Sequence, residues 1–228
     1  MRRRLIAVAG AVLVTSALSA GTAAAQTYPG TPGPHGGTIE IGGGVVWIGG
    51  YDAGDASATE TSNSSTGAPP LTLFASTGRV AAVTGVDARA AVYLGSRAAV
   101  EGLFQLSQPE LRLRLTSDFE NAADVTAVGG TSAYVFGGSL VYHFGSGRVV
   151  PFVLGGGGYL RQLDEDNAEV LTGSEVHGGG GVKMWFGTGA RALGLRVDAQ
   201  VSSRSRSAGF EEKRRILPVV GAGLIFRF

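Results

Sequence analysis

The chain has 228 residues, of which 44% are hydrophobic and 16% charged, with 19 Lys and Arg against 18 Asp and Glu. It has no cysteine, which excludes a disulfide-stapled fold, and its 38 glycines follow no Gly-X-Y period, which excludes collagen. The net charge of +1 gives no basic excess for a nucleic-acid-binding face, so nucleic acid is not an expected partner.

The first 25 residues have the order of a secretory signal peptide. Arginines at positions 2–4 precede a short apolar stretch, and a small-residue exit ends at Ala25. This order predicts export and cleavage after residue 25. An uncleaved signal anchor is the alternative, but the apolar stretch is short for a bilayer span. Residues 26–37 follow as a Pro/Gly-rich linker, and we expect one domain over 38–228.

From residue 38 onward the hydrophobic pattern has a period of two, which is the period of a β-strand. In "LGLRVDAQVSS", Leu195, Val197 and Val201 alternate with Arg196 and Asp198. The segments are about 11 to 18 residues long, which exceeds most soluble strands but suits tilted strands that cross a bilayer. The predicted strands are 38–51, 80–94, 98–115, 131–144, 150–163, 175–186, 193–204 and 217–228.

The connections between these strands alternate in length. "GSR", "GSGR" and "GTGARA" are short, whereas the others are long and polar. Short turns on one rim and long loops on the other are typical of an outer-membrane barrel, with the turns in the periplasm and the loops outside the cell. We expect the first long connection, 52–78, to be a mobile loop that is able to contact ligands or surfaces.

These patterns predict an all-β, eight-stranded antiparallel up-and-down transmembrane β-barrel. A soluble barrel of the lipocalin type is the alternative, with its apolar face inward. Charges of both signs on one face favour a polar interior, and aromatic residues at strand ends favour an interfacial girdle outside. We predict a girdle that includes Trp47, Phe144 and Phe186. The predicted interior charge network is Asp87, Arg89, Glu101, Arg161, Lys183, Arg196, Asp198 and Arg227.

Glycine runs at 42–44, 155–158 and 178–181 lie inside predicted strands. A missing side chain there permits sharp coiling of the strand, or leaves room for a long interior side chain from a neighbour. No helix is predicted after any run, so none is a phosphate-binding loop.

The segments "GVDARAAVYLGSRAAVEGLFQLSQPELRLRL", "PFVLGGGGYLRQL" and "GGGGVKMWF", with the aromatic last strand, resemble the bacterial outer-membrane β-barrel domain family of OmpA/OmpX-like small barrels. The resemblance covers 38–228. It implies that the last strand is an assembly signal read by the outer-membrane insertion machinery, with Gly223, Phe226 and Phe228 as its pattern. The family prefers a polar residue where this chain has Gly221.

Little in the sequence points to catalysis or metal binding. The three histidines, His35, His143 and His177, form no metal-binding motif, and no cofactor is expected. "GSEVH", with Ser174 and Glu175 beside His177, is the one candidate for a Ser-His-acid site, but such a cluster occurs often by chance. We expect no enzymatic activity.

The expected function is that of a non-enzymatic outer-membrane barrel with an envelope-structural or surface-interaction role. A narrow porin-like channel for small solutes is the alternative, and a soluble ligand carrier ranks third. Outer-membrane lipid and lipopolysaccharide are the expected partners. In the loop 211–216, Lys213, Arg214 and Arg215 are candidates to pair with lipopolysaccharide phosphates.

Overall fold

The structure is a computed structural model that describes residues 33–60, 71–116, 123–164, 170–186, 191–205 and 214–228. The predicted signal peptide and the linker residues 26–32 lie outside these ranges. No helix within them is long and apolar enough to cross a bilayer. The described strands are β1 (Ile39–Ile48), β2 (Tyr51–Glu60), β3 (Leu71–Val80), β4 (Val83–Tyr93), β5 (Ala98–Ser107), β6 (Glu110–Thr116), β7 (Val125–His143), β8 (Val149–Asp164), β9 (Val170–Phe186), β10 (Ala192–Arg204) and β11 (Arg215–Arg227).

Eight of the described strands close a barrel. In order around the wall they are β1, β4, β5, β7, β8, β9, β10 and β11, and every neighbouring pair is antiparallel. Closure joins the first strand to the last, because Ile39 N donates to Phe228 O at 3.1 Å and Phe228 N donates to Ile39 O at 3.0 Å. This confirms the predicted eight-stranded antiparallel barrel. We call the end of the barrel with the short connections the turn end, and the end with the long connections the loop end.

The faces of the barrel wall are inverted relative to a soluble barrel. In β10, Arg196 and Asp198 are each 3% exposed, whereas Val197 and Val201 are 43% and 57% exposed. A soluble barrel would place the valines inside and the charges in water, because burying an unpaired charge is costly. The pattern suits a wall whose outer face meets hydrocarbon, and it argues against the lipocalin-type alternative.

Two of these strands, β2 and β3, lie in the first long connection, so the expectation of a mobile loop over 52–78 is corrected for residues 52–60 and 71–78. Residues 61–70 lie outside the described ranges. β2 pairs with β3, β3 pairs with β6, and β6 pairs with residues 125–130 of β7. These four segments, called the outer sheet, continue the wall beyond the loop end. β2 and β3 contain Ala, Gly and Asp, which are weak strand formers, so pairing with β6 contributes more to this sheet than local propensity does.

The predicted strand 98–115 is divided in two by Pro109. A proline has no N–H to donate to a ladder, so it ends regular pairing in a strand. β5 ends at Ser107 and pairs with β4 and β7 in the barrel, whereas β6 begins at Glu110 and pairs within the outer sheet. The Pro109 carbonyl still accepts from Thr131 N at 3.0 Å. The break therefore marks the boundary between barrel and outer sheet.

The glycine runs permit close approach of neighbouring strands. A Cβ on Gly156 would lie 2.0 Å from the Gly138 carbonyl oxygen, and one on Gly181 would lie 2.2 Å from the Val197 carbonyl oxygen. Both contacts are with backbone, which cannot rotate away. Glycine is therefore required at these two positions for the wall to coil as it does.

The described end of the linker lies against the turn end of the barrel. Gly37 N donates to Tyr93 O at 2.8 Å, and Pro34 is buried. A Cβ on Gly33 would lie 3.1 Å from Cβ of Ser146, which belongs to the connection between β7 and β8. Residues 33–37 thus run along the rim between the end of β4 and that connection.

Candidate functional site

The barrel interior contains an equal number of buried acidic and basic side chains among the described residues. Alternation in each strand aims one face at the axis, and the small radius brings charges from opposite walls within reach of each other. The acidic residues are Glu40, Asp87, Glu101, Glu175 and Asp198, and the basic residues are Arg89, Lys183, Arg196, Arg204 and Arg227.

A central cluster of Asp87, Arg89, Glu101, Arg196 and Asp198 spans the bore. Arg196 donates through both terminal nitrogens to the Glu101 carboxylate and through Nε to Asp198 Oδ1 at 2.9 Å. Arg89 donates to Asp87 Oδ2 at 2.6 Å and lies 3.4 Å from both Glu101 and Asp198. Because β5 and β10 are four strands apart in either direction, the Glu101–Arg196 pair joins diametrically opposite walls.

A second group lies nearer the turn end. Lys183 Nζ donates to Glu40 Oε1 at 2.6 Å, and the Tyr93 hydroxyl donates to Glu40 Oε2 at 3.0 Å. His143 Nε2 is 3.3 Å from that hydroxyl, and its ring stacks on Tyr93 with centroids 5.0 Å apart. Phe152 packs beneath this group, with Lys183 Nζ 5.5 Å from its ring centroid. The Tyr93 and Phe152 rings and the Glu40 carboxylate thus surround the lysine ammonium.

A third group lies nearer the loop end. Arg204 donates through Nε to Glu175 Oε2 at 2.8 Å and through Nη2 to Gln105 Oε1 at 3.0 Å, which again joins β10 to β5 across the bore. The apolar cluster of Val46, Ile48, Leu217 and Val219 lines the interior in the same half of the barrel.

Three groups of polar contacts and the apolar cluster therefore fill the interior. The two best-formed cavities have volumes of about 10 Å³ and 20 Å³, close to the space that one water molecule needs. Charges buried in this way are tolerated because all but Arg227, which stacks on Trp185, are ion-paired. Among the described residues, side chains thus cross the bore at the levels of Glu101–Arg196 and Gln105–Arg204.

The predicted interior charge network is placed as follows. Its residues Asp87, Arg89, Glu101, Arg196 and Asp198 form the central cluster, Lys183 pairs with Glu40, and the guanidinium of Arg227 stacks 4.6 Å above the Trp185 ring.

The prediction that Arg161 points into the interior is wrong. It is exposed on the outer face together with Tyr159, whereas Leu160 and Gln162 are buried inside. The glycine run 155–158 carries no side chains, so the alternation that fixes the inward face cannot be followed across it.

Sequence reasoning missed Glu175 and Arg204 as an ion pair. They are direct cross-strand partners in β9 and β10. The signal was available, because each lies an even number of residues from an inward position, His177 for Glu175 and Asp198 for Arg204.

In the structure, the serine that contacts His177 is Ser139, and not Ser174 of the predicted Ser-His-acid cluster. Ser174 is exposed and bonds to Ser205, whereas Ser139 of β7 places Oγ 2.7 Å from His177 Nε2. His177 Nδ1 lies 3.4 Å from Glu175 Oε1. Ser139, His177 and Glu175 are only 6%, 4% and 5% exposed, and Glu175 also holds Arg204. An acyl group cannot reach Ser139 Oγ while the barrel is closed.

Metal ligands do not converge in the part of the chain that the structure describes, where no three His, Cys, Asp or Glu residues form a group able to hold a metal ion.

The predicted girdle residues all lie on the outer face. Trp47 is near the loop end and 44% exposed, whereas Phe144 and Phe186 are at the turn end and 55% and 45% exposed. Phe226 and Phe228 lie at the same end, with ring centroids 5.4 Å apart. Gly223 of the predicted assembly signal lies in β11, where a Cβ would be 2.6 Å from Gly43 O. The role of these residues in assembly stays a prediction.

The predicted lipopolysaccharide-binding loop is described only in part, because Lys213 lies outside the described residues. Arg214 Nη1 lies 3.5 Å from Ser203 Oγ, and Arg215 Nη2 donates to the Ala53 carbonyl at 3.1 Å. Arg215 thus fixes the start of β11 to β2 in the outer sheet.

No protein-family model matches the sequence, and no curated protein matches it. Among solved structures, the outer membrane protein OprG from Pseudomonas aeruginosa is similar, with a TM-score of 0.55 and 11% identity over 86% of this chain and 98% of that one. Ail, the attachment invasion locus protein of Yersinia pestis, aligns with a TM-score of 0.43 and 13% identity over 85% of this chain and 99% of Ail. Its complex with the heparin analogue sucrose octasulfate gives 0.47 and 14% over the same shares.

The likeness to OprG shows that the chain has the fold of a small outer-membrane β-barrel. Together with the inverted faces of the wall, this fold points to the bacterial outer membrane as its location.

Proposed function

We propose that the protein is a non-enzymatic outer-membrane barrel with an envelope-structural or surface-interaction role. The observation that carries the proposal is the combination of an ion-paired interior with the outer sheet, which continues the wall beyond the loop end. A barrel whose bore is crossed by Glu101 and Arg196 provides a rigid support, and the outer sheet provides the accessible surface.

The outer sheet supports the surface-interaction role. β2 is its edge, and within the described ranges no strand pairs with the far side of residues 54–60. Its outward face carries charged side chains in water, with Arg112 and Arg114 more than half exposed. An extended wall with polar side chains and a free edge offers more contact area than the rim of a barrel alone.

The narrow porin-like channel is the alternative, and the interior contacts favour the closed form over it. An ion would have to separate Glu101 from Arg196 and Glu175 from Arg204, with both partners buried. We expect the folded protein to give no resolved conductance steps in a planar lipid bilayer. A matched variant, Glu101→Ala with Arg196→Ala, removes both sides of the pair and should conduct if it folds. Steady conductance of the unaltered protein would overturn the closed-barrel proposal.

The absence of enzymatic activity can be tested at Ser139. A fluorophosphonate probe labels an activated serine, and we expect none at Ser139 because its hydroxyl is buried with His177. Labelling that is lost in Ser139→Ala and His177→Gln would indicate a hydrolase and would contradict this part of the proposal.

Lipopolysaccharide is the proposed lipid partner at the loop end. Arg161 supports this, because it is exposed on the outer face opposite Tyr134 of β7 and two residues beyond Tyr159. A guanidinium at the edge of an apolar belt is placed to bind a phosphate. Lipopolysaccharide should raise the melting temperature of the unaltered barrel more than that of Arg161→Gln. Equal shifts would remove Arg161 from the proposal.

The outer-membrane insertion machinery is the proposed partner during assembly. Phe226 and Phe228 support this, because both rings are exposed on the outer face of β11, the strand that closes the barrel. Deletion of Phe228 should lower the amount of folded barrel in outer-membrane fractions. Assembly at the normal level would contradict the role of Phe228.

A further inference from the structure

The three short connections share a pattern that the barrel fold does not require. Their sequences are "LGSR" at 94–97, "FGSGR" at 144–148 and "FGTGAR" at 186–191. Each begins with a large apolar residue, continues with glycine and a hydroxyl residue, and ends with arginine. None contains an acidic residue.

The structure places the first and last residue of each connection at the turn end of the barrel. The apolar residues Leu94, Phe144 and Phe186 are 65%, 55% and 45% exposed on the outer face. The arginines Arg97, Arg148 and Arg191 are exposed, and they directly precede β5, β8 and β10, respectively. We call these three arginines the rim arginines.

The backbone of two rim arginines is fixed by the barrel. The Arg97 carbonyl accepts from His143 N, and the Arg148 carbonyl accepts from Trp185 N, both at 2.8 Å. The side chains therefore extend from fixed points just beyond the apolar belt. A long cationic side chain at that height can lie along apolar surface while its head group reaches the polar layer.

The rim arginines differ from the exposed arginines of β6 and from the arginines of the central cluster. Arg112 and Arg114 of the outer sheet pair with Glu110 and Asp124 at 3.0 Å and 2.8 Å, and the central cluster is fully paired. Within the described ranges, no acidic side chain forms an ion pair with Arg97, Arg148 or Arg191. Within the described part of the turn end, the rim arginines thus form a cationic rim that is not neutralised by ion pairs.

We propose that the rim arginines bind the phosphate groups of anionic phospholipids in the bilayer leaflet at the turn end. A phospholipid fits both halves of the pattern, because its acyl chain contacts the exposed apolar residue while its phosphate meets the guanidinium. A soluble acidic polymer, such as a cell-wall fragment, would use the arginine alone. The inference rests on the membrane placement in the proposed function.

The test compares two brominated lipids as quenchers of a tryptophan placed at the rim. Phe144→Trp in a Trp47→Phe background gives an outward probe beside Arg148, and Trp185 stays buried inside. Brominated phosphatidylglycerol should bind next to this probe about fivefold more tightly than brominated phosphatidylcholine, as expected for one surface cation. The preference should fall towards onefold in Arg97→Gln/Arg148→Gln/Arg191→Gln and in high salt.

Two matched controls separate the possible outcomes. Arg112→Gln/Arg114→Gln in the probe background changes exposed arginines at the other end and should leave the preference intact. The unaltered protein, which retains Trp47, reports on quenching at the loop end. An unchanged preference in the triple rim variant overturns the inference. The inference is also overturned if the triple rim variant keeps its lipid preference but no longer sediments with cell-wall fragments. The rim arginines would then bind the cell wall and not the phospholipid. If neither lipid quenches the probe, the membrane placement itself fails.

Discussion

The central cluster and the outer sheet both place arginine against carboxylate, but in opposite environments. In the cluster, the side chains of Arg196 and Glu101 are 4% and 2% exposed. In the outer sheet, the side chains of Arg114 and Asp124 are 63% and 47% exposed at 2.8 Å. The contact is similar, yet only the first pair has lost its water. From this difference we infer that burial, and not the ion-pair contact itself, determines how much free energy of unfolding the barrel loses when one partner is removed.

Loss of one buried partner should give the largest effect. Glu101→Ala removes the carboxylate that accepts from both terminal nitrogens of Arg196, and leaves Asp198 as the one carboxylate that Arg196 and Arg89 share. We expect the free energy of unfolding to fall by about 3 to 5 kcal/mol, because buried guanidinium donors lose their charged acceptor. Urea unfolding in detergent micelles measures it. A loss below about 1 kcal/mol would mean that water reaches the cluster and that the two regions do not differ.

Replacing both partners should cost less than replacing one. Glu101→Gln/Arg196→Met removes the charge from each side while it retains much of the volume, so the double variant should be more stable than Glu101→Gln alone. The same unfolding measurement gives this order. If the double variant is the least stable of the series, the Arg196 guanidinium is held mainly by contacts other than Glu101.

A methyl group at a tight point of the wall should have an intermediate effect. Gly156→Ala places Cβ against the Gly138 carbonyl, and the barrel should lose about 1 to 3 kcal/mol through strain. Gly102→Ala is the matched control, because a Cβ there would have its nearest contact at 3.8 Å. Equal stability of the two variants, measured by thermal unfolding, would show that the wall adapts at Gly156.

The smallest effect is expected in the outer sheet. Asp124→Ala removes the partner of Arg114, but both groups stay in water, so the barrel should lose less than about 1 kcal/mol. High salt should reduce even this difference, because it screens exposed charges. A loss as large as that of Glu101→Ala would contradict the contrast between the two regions.

The barrel could be predicted because its pattern is local. In β10 every second residue from Ala192 to Arg204 turns inward, and the connection lengths indicate which rim is which. The features that could not be predicted from the sequence depend on pairing between distant segments. Nothing in residues 52–78 indicates that β3 pairs with β6, and nothing near Ser139 indicates that its hydroxyl meets His177. Arg161 failed because glycines hide the alternation.

The most direct test of the account is a pair of double-mutant cycles, one in each region. The first combines Glu101→Gln with Arg196→Met, and the second combines Asp124→Asn with Arg114→Met. We predict a coupling free energy of about 2 kcal/mol or more for the buried pair and about 0.5 kcal/mol or less for the exposed pair. Equal coupling in the two regions would contradict the claim that burial of the central cluster holds the barrel closed.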